Sequence, residues 1–408
     1  MNFSELNIIS PILDAIKDAG YEEPTEIQQK SIPIVLAGED IIGCAQTGTG
    51  KTASFAIPIL QNLTNKASNS KKIRTLILTP TRELAVQIND NFKLYGKNLP
   101  LKHLAIFGGV NQKPQISTIK NGVDILIATP GRLLDLIAQG HIKLNQIEIL
   151  VLDEADRMLD MGFVNDIKKV LKFVPEDRQT LFFSATMPKP IRKFSHTVLR
   201  RPKEVNVTPV SSTAETVEQF VYHVDKENKV ELLIQLLKEN PDDRTLIFTR
   251  TKHGANRLAR NLEKVGIPAA AIHGDKSQNA RQRALNEFKE EKLKVLIATD
   301  IAARGIDIDM LPFVINFELP NVPETYVHRI GRTGRAGREG KAISFCAADE
   351  KGDLMNIEKL IGTYVHVLKT PKMEKKVSTS SASNHSKPNN PTDKKKFFKK
   401  KNDRGRRR

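Results

Sequence analysis

The sequence predicts an α/β protein with two tandem domains, each a parallel β-sheet flanked by helices, followed by a disordered basic tail. In both halves, short runs that are apolar throughout alternate with helical patterns. This alternation is typical of strands buried on both faces of a parallel sheet. A stretch rich in Pro, Ser and Thr at 208–219 interrupts it and indicates a linker. We therefore expect domains at 1–207 and 220–368 and a tail at 369–408.

The composition excludes several classes of protein. Of the 408 residues, 39% are hydrophobic, which is enough for packed cores. Cys44 and Cys346 lie far apart without metal-ligand spacing, which argues against a disulfide framework and a zinc site and favours a reducing compartment. No stretch approaches the roughly 18 apolar residues of a spanning helix, and the first residues lack a signal-peptide pattern. We expect a cytoplasmic protein without a membrane partner.

Positive charge is concentrated in the tail. The chain carries a net charge of +17, of which the segment Lys369–Arg408 contributes +12, with 15 Lys/Arg and three Asp/Glu. Such a segment has too few apolar residues to fold, and its charge favours a nucleic-acid partner. The alternative is a tail charged only for solubility. Phe397 and Phe398 either stack on unpaired bases or are incidental.

The first 38 residues predict two short helices. Ile9, Ile12, Leu13 and Ile16 recur at helical spacing, which indicates one amphipathic helix. Pro24 suits the first position of a second helix. This segment immediately precedes the first predicted strand, Asp40–Cys44.

The stretch Ala45–Thr52, Ala-Gln-Thr-Gly-Thr-Gly-Lys-Thr, follows that strand and precedes a helical pattern from Ala53. Strand, Gly-rich turn and helix form the context of a phosphate-binding P-loop. Backbone N–H groups and the helix N-terminus would bind phosphates, Lys51 would reach the β- and γ-phosphates, and the Thr52 hydroxyl would bind Mg²⁺. The first position is Ala instead of Gly, but it only has to be small. A Gly-rich loop that ends in Lys-Thr by chance is the alternative.

Four further apolar runs in the first half end in polar turns, at the strand ends where ligands bind in parallel sheets. They are 75–80, 123–130, 147–152 and 179–186. Asp153-Glu-Ala-Asp156 follows the third run. We expect Asp153 to hold Mg²⁺ through its water shell and Glu154 to orient the attacking water. In isolation such an acidic run would indicate only a surface turn.

The second half repeats the alternation without a P-loop. Its predicted strands are 244–250, 269–274, 293–300, 313–318 and 341–346, and its predicted helices include 254–264 and 278–289. Tyr326–Arg338 contains four arginines at Gly-containing spacing. Guanidinium groups held in this way suit the charge that develops in phosphoryl transfer, whereas a basic surface loop is the alternative.

Taken in order, these motifs resemble those of the DEAD-box ATP-dependent RNA helicases of superfamily 2. The resemblance covers residues 1–368 and implies two RecA-like domains. The motifs that carry it are Phe3 with 20–28, 45–52, 80–85, Gly108-Gly109, 129–132, 153–156, 184–186, 246–250, 273–278, 298–307 and 328–335. The amino-acid sequence of residues 273–278 and the short basic tail are most similar to those of the bacterial RhlE-type subgroup.

For the ATP site, the resemblance implies that Thr25 and Gln28 read the adenine edge while Tyr21, with Phe3, packs on the base. The phosphate-binding residues would be Ala45, Gln46, Thr47, Gly48, Thr49, Gly50, Lys51 and Thr52. The second domain would contribute Asp300, Gly305 and Asp307 to the nucleotide and the domain seam, and Arg332 and Arg335 as arginine fingers.

The resemblance also implies a coupling network and an RNA surface. The residues that couple hydrolysis to domain closure would be Asp156, Ser184, Thr186, His328 and Arg329. The RNA-binding residues would be Pro80, Arg82, Gly109, Thr129 and Arg132 in the first domain and Arg250, His273, Gln278 and Thr299 in the second. Such contacts fall mainly on phosphate and 2′-OH groups, which makes them independent of sequence.

The implied activity is RNA-stimulated, Mg²⁺-dependent ATP hydrolysis by a monomer that unwinds short RNA duplexes or remodels RNA–protein complexes non-processively. An ATP-gated RNA clamp or annealing chaperone shares every motif and remains the alternative. The segment around Gln28 and the Asp-Glu-Ala-Asp motif disfavour a P-loop ATPase that acts on protein or DNA.

Overall fold

The computed structural model describes residues 2–46, 48–66, 72–207, 217–303, 308, 311–333 and 340–371. All of them belong to one unit, Met1–Pro371, and a second unit begins at Lys372. The predicted tail from Lys372 onward, with Phe397 and Phe398, lies outside the described residues. Within the described ranges, no helix is both long enough and apolar enough to cross a membrane.

The first half contains a seven-stranded parallel sheet with the order β3-β4-β2-β5-β6-β1-β7. Its strands are β1 Ile41–Cys44, β2 Thr75–Leu78, β3 His103–Ile106, β4 Ile125–Ala128, β5 Ile149–Leu152, β6 Gln179–Ser184 and β7 Lys203–Asn206. The strand before the P-loop, β1, pairs with both β6 and β7. Because β6 lies between β5 and β1, the carboxyl ends of these three parallel strands are adjacent.

Helices cover both faces of this sheet. They are α1 Ser10–Asp18, α2 Glu26–Leu36, α3 Lys51–Asn65, α4 Arg82–Tyr95, α5 Gln112–Lys120, α6 Pro130–Ala138, α7 Ala155–Asp160, α8 Val164–Leu171 and α9 Lys189–Val198. Neighbouring strand residues serve opposite cores, since Ile41 packs in one cluster and Ile42 in the other. This two-sided burial is the reason why the strands are apolar throughout.

The second half contains another seven-stranded parallel sheet, with the order β10-β11-β9-β12-β13-β8-β14. Its strands are β8 Val217–His223, β9 Thr245–Thr249, β10 Ala269–Ile272, β11 Val295–Thr299, β12 Phe313–Asn316, β13 Gly340–Cys346 and β14 His366–Leu368. Its helices are α10 Lys229–Glu239, α11 Lys252–Glu263, α12 Gln278–Lys289, α13 Asp300–Ala303, α14 Pro323–Ile330 and α15 Lys351–Ile361.

The two sheets have the same topology. When the strands of each half are numbered from one, both sheets read 3-4-2-5-6-1-7. The predicted fold class, with its structural duplication, is confirmed. The turns that carry the predicted functional residues therefore follow equivalent strands in the two halves, at the carboxyl ends of those strands.

Four strands were not predicted, and all of them depart from the fully apolar pattern. β3, β7 and β14 lie at sheet edges, where strands are short and partly exposed. β8 begins at Val217 inside the predicted linker 208–219. Only two of its residues, Val217 and Val221, are buried. The strand therefore lacks the fully apolar pattern, and the Ser- and Thr-rich residues before it indicated a linker instead. The remaining linker residues before Val217 lie outside the described ranges.

The predicted start of the second helix was wrong. Helix α2 begins at Glu26 with Thr25 as its N-cap, so Pro24 precedes the cap. The Thr25 backbone N–H donates to Gln28 Oε1 at 3.0 Å, which is one half of a capping box. This side-chain bond sets the helix start more strongly than the preference of Pro for a first helical turn.

Candidate active site

The P-loop turns sharply between β1 and α3. Gly48 and Gly50 have φ values of +85° and +90°, a region that favours glycine. A Cβ atom at Gly50 would lie 2.3 Å from Gln28 Nε2. The backbone conformation therefore favours glycine at position 50, and a larger residue would also displace the Gln28 amide. Thr47 lies outside the described residues.

Lys51 is buried at the first position of α3. Its Nζ donates to the carbonyl oxygens of Ala45 at 2.5 Å and Gln46 at 2.9 Å. Burial lowers the pKa of Lys51, and the charges of Asp153 and Glu154 act in the opposite direction. The ammonium group therefore lies between the loop backbone and the carboxylates that follow β5.

Thr25 and Gln28 contact the P-loop directly. Thr25 Oγ1 donates to the Thr49 carbonyl at 2.8 Å, and Gln28 Nε2 donates to the Gly50 carbonyl at 3.2 Å. These side chains, which the resemblance assigned to adenine, bind the backbone of the phosphate loop. The segment before α2 is thereby coupled to the loop conformation.

Tyr21 lies beside this segment with its ring 38% exposed. Its hydroxyl and that of Tyr95 are 3.1 Å apart, and its ring meets Phe3 edge-on. Phe3 is only 4% exposed and belongs to the core. Tyr21 therefore keeps a partly open ring face suited to a base, whereas Phe3 supports it from inside.

Asp153 and Glu154 lie at the carboxyl end of β5, and both are buried. Burial raises the pKa of Asp153 to about 7, reinforced by the Glu154 charge and opposed by Lys51. Asp153 Oδ1 accepts the Glu154 backbone N–H at 3.0 Å. Two adjacent carboxylates and one ammonium group form the charged centre of the site.

Arg157 adds a second cation, which was not predicted from the sequence. Its Nη1 lies 2.8 Å from each carboxylate oxygen of Glu154, and both side chains are buried. The signal available in the sequence was the i,i+3 spacing of an acid and a base at a helix start.

The predicted coupling residues of the first half form one network. Asp156 Oδ2 accepts the Thr186 backbone N–H and the Thr186 hydroxyl, both at 2.9 Å. Ser184 Oγ accepts the Asp156 N–H at 3.3 Å and donates to the Thr186 carbonyl at 2.8 Å. Helix α7 is thus joined to the end of β6.

Arg329 is the centre of a network in the second half. It binds both carboxylate oxygens of Asp300, at 2.6 and 2.8 Å, and donates to Asn316 Oδ1 at 3.1 Å. Its guanidinium lies 5.0 Å from the ring centroid of Phe248. With 1% exposure, Arg329 stabilises the ends of the second sheet.

The arginine pair predicted for phosphoryl transfer follows α14. Arg332 is buried just beyond that helix, and His328 lies in its last turn. Arg335, Gly305 and Asp307 lie outside the described residues, so their predicted roles stay predictions.

The first-half RNA candidates lie at the ends of the neighbouring strands β3, β4 and β2. A Cβ atom at Gly109, where φ is +76°, would lie 2.1 Å from Arg82 Nη1. Arg132 donates to Gln115 Oε1 at 3.1 Å and to the Val110 carbonyl at 3.2 Å. Pro80 and Thr129 are buried at the same edge. The structure therefore brings this set together on one surface.

Gln278 connects the two halves. Its Nε2 donates to Glu83 Oε1 at 2.9 Å, and Arg281 Nη2 lies 3.0 Å from the same oxygen. All three side chains are buried. Glu83 and Arg281 were not predicted, although Glu83 directly follows Arg82.

Two second-half candidates, Arg250 and His273, are held differently within the protein: the first is ion-paired and the second is buried. Arg250 Nη2 donates to Asp353 Oδ2 at 2.6 Å, and its Nε donates to the Leu319 carbonyl at 2.5 Å. His273 is 1% exposed, and among the described residues neither ring nitrogen has a hydrogen-bond partner. Burial lowers the pKa of His273, which favours the neutral ring. Thr299 ends β11 and is largely buried.

Two sequence families match the chain over these regions. The DEAD/DEAH box helicase family matches residues 25–194, and the helicase conserved C-terminal domain matches residues 228–337. The ATP-dependent RNA helicase CshA of Listeria monocytogenes is 42% identical over 369 residues, which are 90% of this chain and 70% of that protein.

Solved structures show the same fold. S. cerevisiae Dbp5 L327V bound to RNA and ADP BeF3 is 31% identical, with a TM-score of 0.80 over 91% of this chain and 95% of that one. A DEAD box protein from Methanococcus jannaschii is 43% identical, with a TM-score of 0.52 over 90% of this chain and 99% of that one.

Two RecA-like sheets, with a P-loop and paired carboxylates at the end of the first, define a P-loop ATPase with tandem RecA-like domains. The identity and coverage of the matched relatives place it more narrowly. The chain belongs to the DEAD-box family of ATP-dependent RNA helicases.

Proposed function

We propose that this protein hydrolyses ATP in response to RNA and uses the cycle to separate short RNA duplexes or remodel RNA–protein complexes without processive movement. The observation that carries the proposal is the division of the site. Lys51, Asp153 and Glu154 end strands or begin helices of the first sheet, whereas Arg332 follows α14 of the second. Hydrolysis therefore depends on RNA to bring together the residues of the ATP site that lie on the two halves.

The contact between Glu83 and α12 supports this dependence. Glu83 follows Arg82, a predicted RNA contact, and it binds Gln278 and Arg281 of the second half. The chain also superposes better on Dbp5 bound to RNA and ADP BeF3 than on the more identical M. jannaschii protein. The likeness to the Dbp5 structure bound to RNA and ADP BeF3 favours assigning this contact to the RNA-bound state.

The P-loop residues and Lys51 would bind the phosphates, and Thr52 and Asp153 would hold Mg²⁺. The donors fit this ion: Asp153 is buried with a raised pKa, a condition that a nearby divalent cation would relieve. Among the described residues, no group of three or more metal-ligating side chains occurs, and Mg²⁺ needs only one or two carboxylates beside phosphates and water. When bound, the ion neutralises phosphate charge.

The other residues of the ATP site have complementary roles. Glu154 would orient the attacking water, and Arg332 and Arg335 would stabilise charge on the transferred phosphoryl group. The network of Asp156 and Thr186, together with His328 and Arg329 of the second half, would couple hydrolysis to closure.

RNA would bind along the strand-end surfaces of both sheets without sequence preference, through phosphate and 2′-OH groups. Arg82, Gly109 and Arg132 are the strongest candidates because they lie together at one edge. Arg250 and His273 would require rearrangement, because the first is ion-paired and the second is buried.

An ATP-gated RNA clamp is the second candidate function. The buried contact of Glu83 with Gln278 and Arg281 favours it, because such a contact stabilises the state that holds RNA. The basic tail would serve either function by raising the local RNA concentration.

Parallel ATPase and strand-separation assays, with matched RNA and DNA duplexes, test the proposal. We expect RNA to stimulate hydrolysis and the RNA duplex to separate, with little effect of DNA. RNA-stimulated hydrolysis without strand separation would favour the clamp, and equal stimulation by DNA would contradict both.

Several finer predictions accompany the proposal. Monomeric state and cytoplasmic location stay predictions. So does the RhlE-type subgroup, whereas matched relatives from Listeria monocytogenes and Bacillus subtilis carry the name CshA.

A further inference from the structure

Glu154 occupies an unusual backbone position. Its φ of +52° lies in the left-handed region, and the other non-glycine residues with positive φ in the described ranges are Asn7, Arg201 and Glu291. Those three are exposed, whereas Glu154 is 5% exposed. A buried non-glycine residue in this region is held there by its surroundings, and such residues cluster at functional sites.

The Arg157 ion pair is the contact that restrains the Glu154 side chain. Arg157 Nη1 lies 2.8 Å from both carboxylate oxygens, so rotation of the carboxylate would break at least one contact. The backbone of Arg157 is restrained too, because its N–H donates to Asp156 Oδ1 at 3.1 Å. The arginine is therefore attached to the network of Asp156, Ser184 and Thr186.

We propose that Arg157 is a positioning residue for ATP hydrolysis, which fixes the Glu154 carboxylate in the orientation that binds the attacking water. The inference rests on the proposed role of Glu154. A carboxylate offers about four acceptor positions, so contacts with Nη1 leave acceptor positions for a water molecule. Through its bond to Asp156, Arg157 also links that orientation to the coupling network.

The chain offers a matched control for the loss of a buried arginine. Arg74 has a side chain 4% exposed, as Arg157 has, and its Nε lies 2.5 Å from Glu148 Oε1. Arg74 precedes β2 at the opposite end of the sheet from the ATP site. Arg74→Gln therefore removes a comparable buried cation without touching the site.

The test measures RNA-stimulated ATP hydrolysis by the full chain and its variants Arg157→Gln, Arg157→Lys and Arg74→Gln. A displaced catalytic group typically costs about 10²-fold in rate. We expect Arg157→Gln to lower kcat about 10- to 100-fold with KM for ATP and RNA affinity within about twofold. Arg157→Lys should recover part of kcat, and Arg74→Gln should keep it.

A double-mutant cycle separates positioning from general stability. In a Glu154→Gln background, Arg157→Gln should cause no further loss, because the group that it positions is already inactive. A normal kcat for Arg157→Gln, a change confined to KM, or an equal loss in both backgrounds would overturn the inference. If Arg157→Gln does not fold, as judged by thermal melting beside Arg74→Gln, an Arg157→Lys variant with unchanged kcat overturns it.

The outcomes also distinguish this inference from the proposed function. Absence of RNA-stimulated hydrolysis in the unmodified chain and in Arg74→Gln would contradict the proposed function. An inactive Glu154→Gln variant together with a fully active Arg157→Gln variant would contradict only the role of Arg157.

Discussion

At the scale of single residues, the site concentrates charge in a buried volume. Asp153, Glu154 and Asp156 face Lys51 and Arg157, and all five side chains are buried. Buried charges are stable only when they are paired and hydrogen-bonded. Each of these side chains has the partners described above, so the protein itself compensates their charges.

Glu154→Gln tests the most specific residue assignment. The amide keeps the size of the side chain but cannot act on the attacking water as a carboxylate does. We expect ATP and RNA binding to persist while kcat falls by about 10²-fold or more, within the range expected for loss of a positioned acid–base group. Equilibrium binding and steady-state hydrolysis measure the two effects, and normal turnover would exclude Glu154 from the reaction.

Asp153 predicts a pH dependence of stability in the absence of Mg²⁺ and nucleotide. Its pKa is raised from 3.8 to about 7, so the folded state binds more protons than the unfolded state between these values. The free energy of unfolding should therefore fall as pH rises from about 4 to 7, by up to about 4 kcal/mol, and level off above that.

Denaturant unfolding of the native chain and of Asp153→Asn, compared across this pH range, measures that effect. The variant lacks the titrating group, so its stability should fall less over the same interval. Parallel curves for the two proteins would show that Asp153 does not titrate there.

At the scale of elements, most of the predicted functional side chains lie at or near the first residues of helices. Lys51 begins α3, Arg82 begins α4, and Gln278 begins α12. Each follows a strand of a parallel sheet, where side chains meet at one edge. The predicted bounds of α12 agree with the structure, in which Ser277 is the N-cap and its side chain accepts the Ala280 N–H.

The contact between α4 and α12 carries a prediction of its own. Arg281→Ala removes one of the two donors to the buried Glu83 carboxylate. We expect RNA affinity in the presence of a non-hydrolysable ATP analogue to fall about tenfold, the usual size of a coupling between sites, with a smaller change without nucleotide. RNA titrations in both conditions measure the difference.

Arg283→Ala is the matched control on the same helix, because Arg283 is exposed. It should leave the nucleotide dependence of RNA binding unchanged. Equal losses with and without nucleotide for Arg281→Ala would mean that Arg281 contacts RNA or supports the fold instead of coupling the halves.

At the scale of the whole molecule, duplication of one topology places two half-sites at equivalent sheet edges. The P-loop and the carboxylates follow strands of the first sheet, and Arg332, a predicted arginine finger, follows α14 of the second. Neither half has a complete set of the predicted catalytic groups. If these assignments are correct, ATP hydrolysis requires the two sheets together.

The tail adds a separate electrostatic contribution. Removal of residues 372–408 keeps the Thr370 hydroxyl bond to the His223 carbonyl and removes most of the tail charge. We expect weaker RNA binding, a smaller slope of log affinity against log salt, and little change in hydrolysis without RNA. RNA titrations across a salt series measure this, and an unchanged slope would show that the tail does not contact RNA.

Phe397→Ala with Phe398→Ala provides the control for charge in that experiment. If the rings stack on bases, affinity falls while the salt slope stays constant, since stacking does not release counterions. Unchanged affinity would make the two rings incidental.

The sequence by itself determined the class of fold and identified the main candidates for the reacting groups. Fully apolar strands followed by Gly-rich or acidic turns are local patterns, so Lys51, Asp153 and Glu154 could be identified without knowledge of the packing. Edge strands such as β3 and β14 lacked that pattern because part of their surface is exposed.

Only the tertiary structure decided which groups touch. Glu83 meets Gln278 from 195 positions away, and Arg250 meets Asp353 from 103 positions away. A hydrogen bond depends on distance and direction, which arise where strands and helices pack. The sequence identifies the donors and acceptors, whereas the packing of strands and helices determines which of them pair.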